Sequence, residues 1–140
     1  MEFKIYNSLP QEAVDIRTAV FVNEQGFRHE FDETDKTALH IVAFKDGHAA
    51  GACRIFPQDD NGAYTLGRLA VLKECRLLHV GRQLIEYAEQ CIRKRGGKSV
   101  CLHAQVRVKE FYEKQGYRVC SAIDSEDSCP HVWMRKTLEA

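Results

Sequence analysis

Leu69-Ala70-Val71-Leu72, then Lys73-Glu74-Cys75-Arg76-Leu77-Leu78-His79-Val80-Gly81-Arg82, then Leu84, Ile85, Ala88, Cys91 and Ile92 at helical spacing: this stretch decides the fold. The first four residues are an apolar run that fits a buried strand, and the last five trace one face of a helix. A basic loop lies between them. Strand, loop and helix N-terminus in that order build an anion site. The first amides of a helix lack partners within it, and its dipole places about half a positive charge there. Arg76 and Arg82, with Lys73 upstream, add side chains suited to phosphate oxygens. Further along, Phe111-Tyr112-Glu113-Lys114-Gln115-Gly116-Tyr117 reads as a short helix closed by glycine, with a phenol near its middle.

The 140 residues include 20 basic and 20 acidic side chains and six cysteines. Such a length suits a single domain spanning 1–140. Balanced charge argues against nucleic acid or an anionic membrane as partner. No apolar run approaches the roughly 18 residues needed to span a bilayer, and no secretory pattern opens the chain, so a cytoplasmic protein is expected. The cysteines contain no Cys-x-x-Cys pair, which removes zinc-ribbon spacing, and no metal is expected. Cys53, Cys91, Cys101 and Cys120 fall in apolar patterns and are expected as buried, reduced thiols.

Working outward, Glu2 to Tyr6 alternates like a strand, and Ser8 is placed to cap a helix carrying Ala13, Val14, Ile16, Val20 and Phe21. Gly26 ends that helix or begins a loop. Leu39 to Phe44 and Ala49 to Phe56 flank Asp46-Gly47, a hairpin signal, and Asp59-Asp60-Asn61-Gly62 turns the chain into a third strand, Tyr64 to Leu72. A helix over Gly81–Arg95 stops at Gly96-Gly97. Strands are predicted at Val100 to Ala104, Tyr117 to Ala122 and Val132 to Leu138, with a helix over Val108–Gln115. The order β-α-β-β-β-α-β-α-β-β is an α/β (α+β) domain with a mixed sheet covered by helices.

From Thr65 to Val119 the chain resembles the acyl-CoA-binding half of the GNAT superfamily of N-acetyltransferases. The family loop Gln/Arg-x-x-Gly-x-Gly/Ala is matched by Arg76 and Gly81, with His79 at the first glycine. Its downstream Phe-Tyr-x-x-x-Gly-Phe/Tyr is matched by Phe111, Tyr112, Gly116 and Tyr117. The stretch from Arg17 to Gly26 and the pair Pro130-His131 are similar to the small bacterial YjcF-like group, so nearly the whole chain is covered. The resemblance implies a GNAT fold: a mostly antiparallel mixed sheet splayed between strands 4 and 5, helices on both faces, and acetyl-CoA in the gap as co-substrate. It implies an N-acetyltransferase acting on a primary amine by direct attack in a ternary complex. The acceptor would be a small amine or a peptide amine, and a homodimer is compatible. A non-catalytic acyl-CoA sensor is the alternative.

By the same resemblance, Leu69, Ala70 and Val71 bond the pantetheine arm as an added strand, and one of their amides meets the thioester oxygen. Arg76, Leu77, Leu78, His79, Val80, Gly81 and Arg82 cradle the pyrophosphate. Gln105 faces the pantetheine arm, and Tyr112 protonates the departing thiolate. Strand 4 offers Leu66-Gly67-Arg68 and no carboxylate, so the base is sought in His131 or Glu24, with His103 behind them. Arg54 and Arg68 sit in apolar strands, where a guanidinium is costly unless paired. They answer either the acidic loop Glu30-Phe31-Asp32-Glu33-Thr34-Asp35 or an acidic acceptor. That loop could instead attract a cationic amine.

Overall fold

The computed structural model describes residues 1–139. Strand β1 (Glu2–Tyr6) pairs antiparallel with β2 (Leu39–Lys45), which returns through Asp46-Gly47 to β3 (His48–Pro57). Asp46 and Gly47 both have positive φ, 52° and 81°, the backbone of a type I′ hairpin. Then β3 pairs with β4 (Ala63–Val71), and β4 runs parallel to β5 (Ser99–Gln105). The sheet order is β1-β2-β3-β4-β5-β8-β6, where β6 is Arg118–Val119 and β8 is Cys129–Thr137; β7 (Asp124–Glu126) also pairs with β8.

Strand alternation separates two cores. Ile41, Ala43, Cys53 and Ile55 pack under helix α2 (Val80–Lys94), through Val80, Leu84, Ile85, Ala88 and Ile92. Val42, Phe44 and Ala52 face the opposite way, toward Ala13 and Ile16 of α1 (Gln11–Arg17). A short helix, α3 (Lys109–Lys114), joins the α2 face. Gly51 permits the close seating of α2. A Cβ there would lie 3.0 Å from Val80 and Leu84 side-chain carbons and from the Ala70 carbonyl.

The centre of the sheet is irregular at β4, in two ways. Its parallel pairing with β5 covers only Ala63, Tyr64 and Thr65, so the edge from Leu66 to Val71 is left open where the strands part. Its register against β3 shifts between Ala52 and Arg54, with Arg68 and Leu69 opposite Cys53. That is a β-bulge, and Arg68 sits in it at φ 52°. The extra residue reverses side-chain parity: Leu66, Leu69 and Val71 face the α2 core, while Ala70 faces the α1 core.

Several predicted boundaries move. Pro10, not Ser8, precedes α1, and no side chain caps that helix. From Thr18 to Glu24 the helix widens to π geometry, with Gln25 N–H bonding the Val20 carbonyl. Helix α2 begins at Val80, one residue before the predicted start at Gly81. The strand expected over Tyr117 to Ala122 shrinks to two residues, and β8 starts at Cys129. Its partner β7 has no signal in the sequence, because Asp127 and Ser128 (φ 49° and 63°) make the hairpin turn without glycine. All six cysteines are free; Cys53, Cys91 and Cys101 are buried as expected, but Cys120 is exposed. No helix among the described residues is long and apolar enough to cross a membrane.

Candidate active site

The parting of β4 and β5 opens a cleft of about 940 Å³ through the sheet, lined from both faces. On the α2 face it meets Leu69, Val71, Gly81, Phe111 and Tyr112; on the α1 face it meets Phe21, Phe27, Glu30, His103, Gln105 and His131. The backbone of β4 supplies hydrogen bonds along the way. Leu72 N–H bonds the Ala50 carbonyl on β3, so by alternation the N–H and C=O of Val71 point away from β3, into the cleft. The Leu69 amide does the same. Ala70 differs from expectation: it is buried in the α1-side core and pairs with Ala52, so it turns from the cleft.

Beyond Val71 a turn of 3₁₀ helix (Lys73–Leu78) leads to His79 at φ 60° and ψ 27°, the left-handed conformation. Histidine thus adopts the backbone that glycine would take more cheaply. The turn aims the N-terminus of α2 at the cleft mouth. This helix has 15 residues, no side-chain cap and no acidic residue in its first turn, which leaves its leading amides and dipole available to an anion. His79, Gly81 and Arg82 line the cleft, together with Arg107 and Lys114, two cations not singled out in the sequence. Val80 is fully buried in the core, so only its backbone can serve a ligand. Leu77 is 94% exposed and Leu78 40%; both side chains point outward.

Arg76 lines the cleft, but its guanidinium is engaged by Glu24. The two bind each other at 2.6 and 2.7 Å in a two-pronged pair, and Arg76 Nε also donates to the Val71 carbonyl at 3.1 Å. The Arg76 guanidinium holds the Glu24 carboxyl below its ordinary value, which weakens it as a base. Glu24 does not line the main cleft. Gln105 does, with its amide donating to Gln25 and accepting from Arg107.

Tyr112 lines the cleft. Burial pushes its pKa well above the usual phenol value, so the proton stays on oxygen across the working pH range. Its helix is anchored from behind. Glu89, 4% exposed, accepts from Tyr117 at 2.8 Å and from Lys136 at 3.0 Å, while Lys136 donates to the Gln115 carbonyl at 2.9 Å. Sequence reasoning missed both Glu89 and Lys136; a lone acid on an apolar helix face was the available signal.

On the α1 face, a compensated ion network walls the cleft. Arg17, 1% exposed, binds Glu30 and Asp35 at 2.8 Å each. Arg54 binds Asp32 at 2.6 Å and Asp35 at 2.8 Å, and Arg68 binds Glu30 at 3.0 Å and Asp32 at 3.2 Å. Three guanidinium groups meet three carboxylates, so the two strand arginines answer the acidic loop. Beside this wall His131, 4% exposed, donates from Nδ1 to the Cys129 carbonyl at 2.8 Å, which leaves the Nε2 lone pair free.

An open sheet edge thus leads to a bare helix N-terminus, the arrangement that the family resemblance implies. A family model for the acetyltransferase (GNAT) domain matches residues 6–138. The chain is 34% identical over 129 residues to the Bacillus subtilis uncharacterized N-acetyltransferase YjcF, covering 90% of this chain and 91% of that one. A crystal structure from Lactobacillus plantarum, described as an N-acetyltransferase, matches with a TM-score of 0.88 at 32% identity over 99% of this chain and 100% of that one. Escherichia coli ElaA matches with a TM-score of 0.83 at 29% identity, covering 96% and 98%. The chain belongs to the GNAT acetyltransferase family. Members of that family bind acetyl-CoA and an acceptor and move the acetyl group between them.

Proposed function

We infer that this protein acetylates a primary amine by direct attack on acetyl-CoA, both held in the cleft between β4 and β5. The observation that carries this reading is the unpaired edge of β4, whose Leu69 and Val71 amides lead straight to the free N-terminus of α2. Pantetheine extends the sheet along that edge, and the pyrophosphate meets the α2 amides and Arg82. Arg82 stands in the first turn of α2 at this end, while Glu126 and Asp127 of the β7–β8 hairpin also line the cleft and suit a cationic amine arriving from the α1 face.

The steps follow from those positions. His131 Nε2 takes a proton from the alkylammonium, freeing the nitrogen lone pair. The amine nitrogen attacks the thioester carbon, and the Leu69 amide meets the oxygen as it becomes negative. Collapse breaks the C–S bond; the thiolate takes the Tyr112 proton, and the second amine proton restores the phenol through solvent. The products are an amide and free CoA. Holding both reactants in one cleft supplies much of the acceleration.

Release of free thiol from acetyl-CoA, measured across a panel of small amines and peptides, tests the reading, with calorimetry of CoA alone beside it. Amine-dependent release supports the enzyme. CoA binding with no release for any amine would favour the non-catalytic acyl-CoA sensor, and no CoA binding would sink both.

A further inference from the structure

His103, Glu126 and His131 meet at the α1-side end of the cleft, each from a different strand. Their ligand atoms all lie within 4.8 Å of one another. The hydrogen bonds behind them decide what they can do. His131 donates from Nδ1 to a backbone carbonyl, so its Nε2 carries a bare lone pair. His103 sits 2.7 Å from Asp124 through Nε2, which must hold the proton because the carboxylate only accepts; its Nδ1 is then bare. Both bare nitrogens lie 3.5 Å from the same oxygen, Oε2 of Glu126.

With both imidazoles in the neutral form, three acceptors lie together with no hydrogen between them. A proton is a poor fit, because a charge-assisted N–H···O bond closes to about 2.7–2.9 Å. A metal ion fits better. Ligands about 2.0–2.1 Å from a tetrahedral zinc stand roughly 3.3–3.4 Å apart. The supports match those of metal-ligating histidines, whose second ring N–H is fixed by a carboxylate or a carbonyl. Trp133 stacks on His103 at 4.7 Å, and Phe27 meets His131 edge-on, so the imidazoles are held between apolar rings.

We propose that His103 Nδ1, His131 Nε2 and Glu126 bind a divalent transition ion of the zinc class, with a fourth position open to the cleft. Two imidazoles and one carboxylate favour zinc, cobalt or nickel over magnesium or calcium. Binding itself is independent of the proposed acetyl transfer. One consequence does rest on that reading: an ion on His131 Nε2 occupies the lone pair that deprotonates the amine, so zinc inhibits against the acceptor and leaves CoA binding untouched.

Titration of the reduced protein with Co²⁺ tests the site directly. One equivalent should give the intense visible bands of a tetrahedral ion, without the near-ultraviolet charge transfer that a thiolate adds, and Zn²⁺ should bleach them. Glu126→Gln, on an exposed hairpin that does not hold the core, should weaken Zn²⁺ by at least about 100-fold, and Asp124→Asn by about 10- to 100-fold. Equal Zn²⁺ affinity in wild type and Glu126→Gln would overturn the site. So would a thiolate band that disappears in Cys129→Ser. Tight binding without inhibition of acetyl transfer would instead overturn the base role of His131 and leave the ion site standing.

Discussion

The two halves of the cleft are built by different means. The α2 side comes mostly from consecutive chain between Ala63 and Lys94, namely β4, a short 3₁₀ helix, a left-handed residue and a helix N-terminus, with Phe111 and Tyr112 of α3 added from further along. Its chemistry is mostly backbone, in the amides of β4 and the first turn of α2. The α1 side is assembled from distant segments: Arg17, the loop from Glu30 to Asp35, Arg54 and Arg68, then His103, Glu126 and His131. Its chemistry is mostly side chain, held by ion pairs and ring stacking. A backbone site survives substitution and suits a donor common to a family. A side-chain site is specified residue by residue and suits one acceptor.

The largest expected effect separates chemistry from donor binding. Tyr112→Phe keeps the ring and its packing but removes the proton donor. Its kcat should fall by about 10²- to 10⁴-fold with CoA affinity unchanged. Equal turnover across pH 6 to roughly 10 would end the general-acid role and leave the strand amides as the main catalytic means.

Next comes the wall of the acceptor half. Arg17→Met leaves Glu30 and Asp35 buried and short of a partner, at a cost of about 3–5 kcal/mol in denaturant unfolding. Acid sensitivity provides the sign. Burial works against the Asp35 charge, yet hydrogen bonds from Arg17 and Arg54 and from the Asp32 amide hold its carboxyl well below the ordinary range. Asp32 is likewise lowered, chiefly by Arg54. A folded pKa below the unfolded value of about 3.9 adds stability that is full above about pH 5 and is lost progressively as pH falls below the unfolded value toward the folded one. Chemical unfolding at pH 6 and pH 3 should show this loss in the wild type and a smaller one in Arg17→Met. A parallel loss in both would mean that the network does not set the acid limit.

Donor affinity should respond more modestly. Arg82→Ala removes a charge-assisted contact to phosphate, worth roughly 1.5–3 kcal/mol, and the loss should shrink as salt rises. Arg76→Ala is expected to cost less in CoA affinity, since that guanidinium is engaged by Glu24; a larger loss than Arg82→Ala would show that it swings to the phosphates. The smallest change is His79→Gly. Glycine takes φ 60° without strain but loses more entropy on folding, so stability should move by less than about 1 kcal/mol while CoA still binds. A large loss of CoA affinity would make His79 a direct ligand and bring a side-chain contact into the backbone-built half.

The sequence alone determined what is local or periodic. Apolar alternation placed the strands from β1 to β5, Asp46-Gly47 placed the first hairpin, and the run from Leu69 to Ile92 placed a strand and a helix around an anion site. The parting of β4 and β5, implied by the family resemblance, is present. What only the tertiary structure decided depends on contacts between residues far apart in the chain. Arg76 and Glu24 each read as a functional charge, but 52 residues apart they neutralise each other. Arg54 and Arg68 read as ambiguous until the acidic loop folded onto them. The Arg68 bulge, which turns Leu69 toward the cleft, has no local signature because it is a register shift against β3. The hairpin of Asp127 and Ser128, lacking glycine, was equally silent, and it alone carries Glu126 to the two histidines. Hydrogen bonds within a helix or across a tight turn are written into neighbouring residues. Which lone pair faces which carboxylate is settled only when separate strands are brought side by side.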